Sequence, residues 1–390
     1  MTSPMLPESG APLAHYVSAA PFDPYASEAA AASSTYTEAS QLRLMWWRFK
    51  RHRLALISGI LLLVAYLAII IVEFLAPYNL HSRNIDSIYS PPQSVHLFHD
   101  GEFVGPFVYK QRMQLDMTTL RRVYTDTNIV EPLRFFCHGD AYRFWGLVET
   151  DRHLVCPAKD GSFFLLGTDR LGRDVLSRIL YGARISLTIG LLGITTSFVL
   201  GIVIGGLAGY RGGVFDLIVQ RIIEVLQSIP SIPLWLALAA IMPVTWSPIV
   251  IYLGITFILG LLDWTGLARA VRSKLFSLRE EDYVLAAQLM GAGKTRIIGR
   301  HLIPGFMSHL IASATLAIPG MILGETTLSF LGLGLRAPIT SWGVLLTEAR
   351  TVNVIALYPW LLFPVIPVIV VILAFNFLGD GLRDAADPYK

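Results

Sequence analysis

Charge is scarce in this sequence. Of 390 residues, 15% are Asp, Glu, Lys or Arg and 54% are hydrophobic, and the mean hydropathy is +0.56. A soluble domain carries about 25% charged residues. A water-soluble globule is therefore excluded, and an integral membrane protein is expected. Cysteine is scarcer still: Cys137 and Cys156 are the only two, too few for a disulfide-dense scaffold. The formal charge of +3 is too small to point to nucleic acid. Residues 1–40 contain no Lys or Arg. The basic region of a signal peptide is missing there, and a disordered tail is expected over 1–41.

Reactive constellations are lacking as well. Gly293-Lys294-Thr295 has the look of a P-loop end, but Gln288 stands where its first glycine belongs, and no strand precedes it. No nucleophile, base and orienting group can be assembled, so no catalytic residue is assigned and no enzyme is expected. His96 and His99 are three apart without a further ligand cluster. They read as a solvated loop, and no metal site is expected.

What is present is a series of long apolar runs. Arg43, Arg48, Lys50, Arg51 and Arg53 precede the first, Leu54 to Leu75, which is about the 20 residues a bilayer crossing needs. The positive-inside rule places this cluster, and the N-terminus, in the cytoplasm, and Trp46 and Trp47 suit an interfacial belt. Glu73, near the far end, is expected to reach water. Further spans are expected at about 185–210, 215–242, 249–267, 307–333 and 357–378. Arg211 follows the second. Arg269, Arg272 and Lys274 follow the fourth, again on the cytoplasmic side. Six crossings put both termini in the cytoplasm.

Four domains follow: a tail, 1–41; a first span with its basic flank, 42–78; an outer insertion, 79–180; and a five-span core, 181–390, with a cytoplasmic loop over 268–305. Patches such as Glu102 to Tyr109 predict short strands in the insertion. Its stretch from Leu133 to Leu154 is dense in aromatics and reads as a folded unit. Cys137 and Cys156 both fall in the insertion; a disulfide, and two free or buried thiols, both stay open. Gly167 to Leu187 reads as an amphipathic helix at the outer surface. Val175, Leu176, Ile179 and Leu180 would face lipid or protein, and Arg173, Asp174 and Arg178 water.

Within the core, Gly193, Ser197, Gly201, Gly205 and Gly209 recur every four residues and make a smooth face for another helix. That helix could belong to this chain or to a partner. Arg221 and Glu224 are spaced to pair. Pro230 and Pro233 interrupt the third span, as a packing kink or as part of a pathway. Glu325 is an intramembrane carboxylate and a pathway candidate; interhelical hydrogen bonding is favoured over substrate contact.

The longest polar stretch of the second half is Leu275 to Pro304. Ser277 and Glu280 have capping-box spacing, which predicts a helix from about Leu278 to Met290. Gly291 stands where a C′ glycine belongs. A second short helix, Lys294 to His301, is expected to stop at Pro304. Tyr283, Ala287 and Met290 form an apolar stripe on the first helix.

The order Ala286-Ala287, three residues, Gly291, then Leu302-Ile303-Pro304 resembles the EAA loop of ABC importer permeases. Leu285 stands where that pattern has Glu, a departure several peptide permeases share; Glu280, Glu281 and Asp282 lie one turn earlier. The phrase GTDRLGRDVLSRILYGARISL is similar to the segment before the second span of dipeptide and oligopeptide permeases, and GETTLSFLGLGL to their fifth span. RFF-x-x-GD and FWGL-x-x-TDRH in the insertion resemble the microcin C and oligopeptide (Yej-type) permeases. The resemblance covers about 42–78 and 165–390.

It implies an all-α membrane protein with six transmembrane helices in the type I ABC importer (MetI-like) fold, carrying a mixed extracytoplasmic insertion. It implies a bacterial inner-membrane location and ATP-driven peptide import. The partners would be a second homologous permease chain, two ATPase subunits, an extracytoplasmic peptide-binding protein and membrane lipid. ATP and Mg would be held by the ATPases, with no cofactor in this chain. It further implies that Glu281, Asp282, Tyr283, Ala286, Ala287, Gly291, Ala292, Arg296 and Pro304 form the ATPase-coupling element. The rivals are an ion-driven secondary transporter, which would want a second inverted repeat, and a membrane sensor with 79–180 as ligand domain.

Overall fold

A computed structural model describes residues 41–386 apart from 120, 160 and 244. The tail expected over 1–41 therefore lies, all but its last residue, outside the described residues. Five helices are long and apolar enough to cross a membrane, and a bent helix pair makes a sixth crossing if counted as one span. The expected all-α membrane class is what is found, with a β-rich insertion.

Helix α1, Gln41–Arg51, ends on Arg48, Lys50 and Arg51. Two compact units divide between Trp47 and Arg48. In the first, the Arg43 guanidinium lies 5.0 Å from the Trp47 ring. In the second, α2 (Arg53–Ile70) starts at His52, whose Nδ1 accepts from the Ala55 amide at 3.1 Å. A break at Ile71 separates α2 from α3, Val72–Leu75. Glu73 sits on α3 and does not reach water. It is 5% exposed and accepts two hydrogen bonds from Arg184, because a buried carboxylate needs a cationic partner.

The insertion holds two antiparallel sheets. Strands β1 (His96–His99), β2 (Glu102–Asp116) and β3 (Arg121–Pro132) form one; β4 (Arg134–Phe144) and β5 (Val148–Cys156) form the other. His96 and His99 stand on β1 rather than in a solvated loop. Both rings pack on Phe107 and Tyr109, and His99 Nδ1 lies 3.1 Å from the Tyr109 hydroxyl. Cys137 on β4 and Cys156 on β5 are joined as a disulfide, with Cα atoms 6.2 Å apart.

The β4–β5 turn passes through Trp145 (φ 50°) and Gly146 (φ 73°). A bulky residue with positive φ is unusual. Trp145 is held there by its indole N–H, which donates to the Ile70 carbonyl at 2.8 Å, and by the Arg184 guanidinium 4.2 Å from its ring. The insertion is thereby tied to the first span.

Helix α4, Val175–Arg211, absorbs both the expected amphipathic helix and the second span. Its 37 residues reach about 55 Å, well beyond a 30 Å hydrocarbon core. Asp174 caps it, accepting from the Ser177 amide at 2.7 Å. The polar face expected to meet water points inward instead. Arg178 and Asp174 are buried, since Asp169 and Glu348 supply countercharge to Arg173 and Arg178.

The third span is not one helix. Helix α5 (Gly213–Ser228) and α6 (Ser231–Ala240) meet at 88°. Pro230 forces the break: it lacks an amide donor, and Ile229 before it is extended at ψ 130°. The exposed pair Arg221 and Glu224 bond at 2.6 Å on α5.

Helix α7, Pro248–Leu278, runs 31 residues straight through Ser277, so no capping box forms there. Buried Val271 and Leu275 keep the polar end of α7 helical by anchoring it. Helix α8 is Asp282–Leu289. Helix α9, Met307–Phe330, is followed by α10 (Trp342–Leu346) and α11 (Val352–Leu357). The last helix, α12 (Val365–Ala386), starts beyond Pro364 rather than at Leu357. Helices α4 and α7 pack together along their length, α9 packs on α12, and α12 on α2.

Candidate coupling site and membrane cavity

Helix α8 begins at Glu281, which is extended (ψ 144°) and makes no side-chain cap. It ends in a full Schellman arrangement: Ala292 N–H donates to Ala287 O at 3.0 Å and Gly291 N–H to Gln288 O at 2.9 Å. This pairing needs a left-handed residue at C′, and Gly291 has φ +80°. Two of the carbonyls that a helix end leaves orphaned, those of Ala287 and Gln288, are thus satisfied by backbone alone.

Val284 and Ala287 anchor α8 to Val271 and Leu275 of α7 and to Ile297, Leu302, Phe306 and Leu310. The expected stripe splits here. Ala287 turns inward beside Val284, whereas Tyr283 and Met290 turn outward. Residues three apart share a face, and it is Val284 with Ala287 that meets the core. Leu289 is left 91% exposed and Met290 81%. Glu281, Asp282, Ala286 and Arg296 are exposed around them and Ala292 is half-buried. Burial, then the nearby Glu281 charge, raises the Tyr283 phenol above its ordinary value.

The second short helix does not stop at Pro304. A helical turn at Lys294–Arg296 passes into a π-turn, Ile297–Leu302, then a 3-10 turn, Ile303–Phe306, and on into α9. Pro304 sits in the first turn of the 3-10 segment, where its missing donor costs nothing. The Ile303 amide reaches back to Ile298. One helical path therefore joins α8's mounting to the fifth span.

The small-residue face of α4 meets α7 of the same chain. A Cβ on Gly201 would come within 2.9 Å of Leu267, and one on Gly209 within 2.7 Å of the Arg272 carbonyl. At Gly205 it would collide with the Ala268 backbone. Gly193 lies against Met321 of α9, and Ser197 is buried. Asp216 of α5 is ion-paired with Arg272.

Glu325, the pathway candidate, is closed into the helix packing. It is fully buried and is held by hydroxyls: Ser341 at 2.6 Å, Ser329 at 2.7 Å and Ser186 at 3.3 Å. It ties α4, α9 and the start of α10 together. Pro230 is exposed at the α5–α6 break.

Sequence reasoning missed Asp263, midway along α7. It borders a cavity of about 320 Å³ with Ser197, Gln227, Thr265, Ser313 and Ala317. The signal that singled out Glu325, an acid inside an apolar run, was equally available at Asp263. Near the start of α4, burial, then the neighbouring Asp169 charge, raises Glu348 above the usual carboxylate range. Asp174, wholly buried at the start of α4, is pushed up to about 6 by desolvation.

Comparisons with known proteins agree with this layout. Residues 201–389 match the family model described as binding-protein-dependent transport system inner membrane component. Residues 40–92 match the N-terminal TM domain of oligopeptide transport permease C. The chain is 42% identical over 223 residues to the dipeptide transport system permease protein DppC of Bacillus subtilis (strain 168), covering 57% of this chain and 68% of that one. It is 40% identical over 243 residues to the oligopeptide transport system permease protein OppC of Haemophilus influenzae, covering 62% and 75%. Over 351 residues it is 31% identical to the DppC protein of Lactococcus lactis subsp. cremoris, covering 88% and 89%. A membrane domain of stacked long helices, matched over most of its length by peptide permeases, leads to one conclusion: the chain belongs to the ABC importer peptide permease family, the inner-membrane components of binding-protein-dependent transport systems.

Proposed function

We propose that this chain is one of two homologous permease subunits through which an ATP-driven importer moves peptides inward. Helix α8 is its mechanical input. The observation that carries the reading is the division of α8 into an anchored and an open face. Val284 and Ala287 fix it to α7 and the base of α9, while Leu289 and Met290 stand in the open beside Tyr283. Adjacent large apolar residues so exposed on a short polar loop fit a groove on another protein. Two ATPase subunits, holding ATP and Mg, would press on this face. Binding of ATP to the closed ATPase pair supplies the differential affinity that shifts the pathway.

In this reading both termini and α8 are cytoplasmic and the insertion lies outside. The basic end of α1 supports that side for the N-terminus. The Cys137–Cys156 disulfide supports an oxidising compartment for the insertion. The domains keep their order: a tail to 41, the first span to 78, the insertion to 180 and the core beyond. A peptide-binding protein would deliver substrate to the outer face. Within this function, the phrases around Phe135 and Trp145 suggest the microcin C type of peptide cargo.

The test is a pair of exchanges, Leu289→Asp and Met290→Asp, in the complete importer. Neither side chain is buried, so membrane insertion should continue. Co-purification of the ATPases and peptide uptake should both fall at least tenfold. Unchanged uptake with normal ATPase recovery would remove α8 from the coupling role.

A further inference from the structure

The cavity beside α7 opens to the surface of the chain and is bordered by an exposed carboxylate, Asp263, that none of the described residues neutralises. Asp263 makes no hydrogen bond or ion pair with any of the described residues. The nearest basic side chain along α7, Arg269, is engaged elsewhere: it donates to Gln227 Oε1 at 2.7 Å. Gln227 Nε2 in turn donates to the Thr265 hydroxyl at 3.2 Å. Gln227 thus clamps the end of α5, next to the unwound Ile229–Pro230 break, against α7.

Three features meet here. The cavity lies among α4, α7 and α9, near the middle of α7. Its wall is polar at Ser197, Gln227, Thr265 and Ser313. A broken helix ends at its edge. Non-helical backbone at membrane depth is tolerated where it lines a water-filled space, and an intramembrane acid faces such a space or a countercharge. Glu325, the other carboxylate at depth, is closed off by serines. Asp263 is open.

We propose that Asp263 is a counter-ion for the ammonium group of a peptide in transit, with Gln227, Ser197 and Ser313 as polar neighbours around it. The inference rests on the peptide-permease reading and names one group of the substrate that the pathway would hold. A carboxylate suits an ammonium by charge, and the hydroxyl and amide groups suit the adjacent peptide bonds. The ammonium can come from the peptide N-terminus or from a lysine side chain.

The experiment uses the whole importer in proteoliposomes: this chain, its partner permease, the ATPases and the binding protein. Uptake of trialanine and of Ala-Lys-Ala is measured at saturating loaded binding protein for wild type, Asp263→Asn and Asp263→Glu. Asp263→Asn should lower maximal uptake of both peptides at least fivefold, with the KM for loaded binding protein unchanged, and Asp263→Glu should restore most of it. A loss confined to Ala-Lys-Ala supports the site and assigns the side-chain ammonium as its ligand. Equal uptake of both peptides by wild type and Asp263→Asn overturns the proposal. So does an Asp263→Asn chain that no longer co-purifies with the second permease, which would make Asp263 an intersubunit ion pair. If wild type itself imports neither peptide, it is the peptide-permease reading that has failed.

Discussion

Glu73 and Arg184, 111 residues apart in sequence, form a two-pronged ion pair with N···O distances of 2.6 and 2.7 Å. Their side chains are 7% and 17% exposed. The same guanidinium covers the Trp145 ring and donates to the Ile69 carbonyl. One arginine thus joins the first span, the second span and the tip of the β4–β5 hairpin. Removing one partner leaves the other charge buried and unpaired, which costs about 3–5 kcal/mol. Glu73→Gln should therefore lower the thermal stability of the detergent-purified chain sharply. Glu73→Gln combined with Arg184→Met should recover part of the loss; a double variant as unstable as the sum of the singles would contradict a direct pair.

Gly205 and Gly206 make a matched test of helix contact. A methyl at 205 collides with the Ala268 backbone, whereas at 206 the nearest atom, Leu275 Cδ1, is an ordinary 3.6 Å away. Overpacking costs about 1–3 kcal/mol, while Gly to Ala inside a helix otherwise gains about 1 kcal/mol. Gly205→Ala should destabilise and Gly206→Ala should be neutral or better. Melting curves of the two variants, side by side, decide it.

Gly291 has no atom within 4 Å of where a Cβ would sit, so any effect of substitution there is conformational. Its φ of +80° costs an ordinary L-residue about 1–2 kcal/mol. Gly291→Val should fray the Schellman cap and reduce peptide uptake per ATP hydrolysed several-fold. Gly291→Asn should be milder, since Asn tolerates this region better. Val and Asn variants with equal coupling ratios would speak against a role for the cap.

Asp174 predicts a pH dependence. Burial raises its carboxyl from the ordinary 3.8 to about 6, and the Ser177 hydrogen bonds only partly oppose this. Between those values the folded chain holds a proton that the unfolded chain has released. Stability from this group is therefore greatest below about pH 4 and is lost as pH rises towards 6. A rise from 3.8 to about 6 corresponds to about 3 kcal/mol. Asp174→Asn keeps a capping oxygen and should flatten this slope. The check is the difference in melting temperature between wild type and variant from pH 4 to 7, which should change steadily across that window.

Much of the fold could be read from the chain because a bilayer imposes local rules. A crossing must be a long apolar run, so α2, α4, α7, α9 and α12 announce themselves. The cap of α8 is also local: a C′ glycine is visible three-letter chemistry. The errors came where a partner was distant. Ser277 looked like a cap because its own neighbours said so, yet α7 continues because Val271 and Leu275 are buried against α8 and α9. Arg178 looked like a water-facing residue until Asp169 and Glu348 closed around it. Asp263 and Glu325 are both acids inside apolar runs, and what separates their settings is the groups around them.

The sequence by itself determined that this is a membrane protein, about where it crosses, and that a polar glycine-hinged loop stands between its fourth and fifth spans. Hydropathy and backbone capping act within one or two helical turns, so they are written in consecutive residues. Only the tertiary structure decided that α4 packs its glycines on α7, that Glu73 answers Arg184, and that Asp263 faces a cavity while Glu325 is sealed. Those outcomes depend on which groups share a low-dielectric interior, and that is set by how segments a hundred residues apart come together.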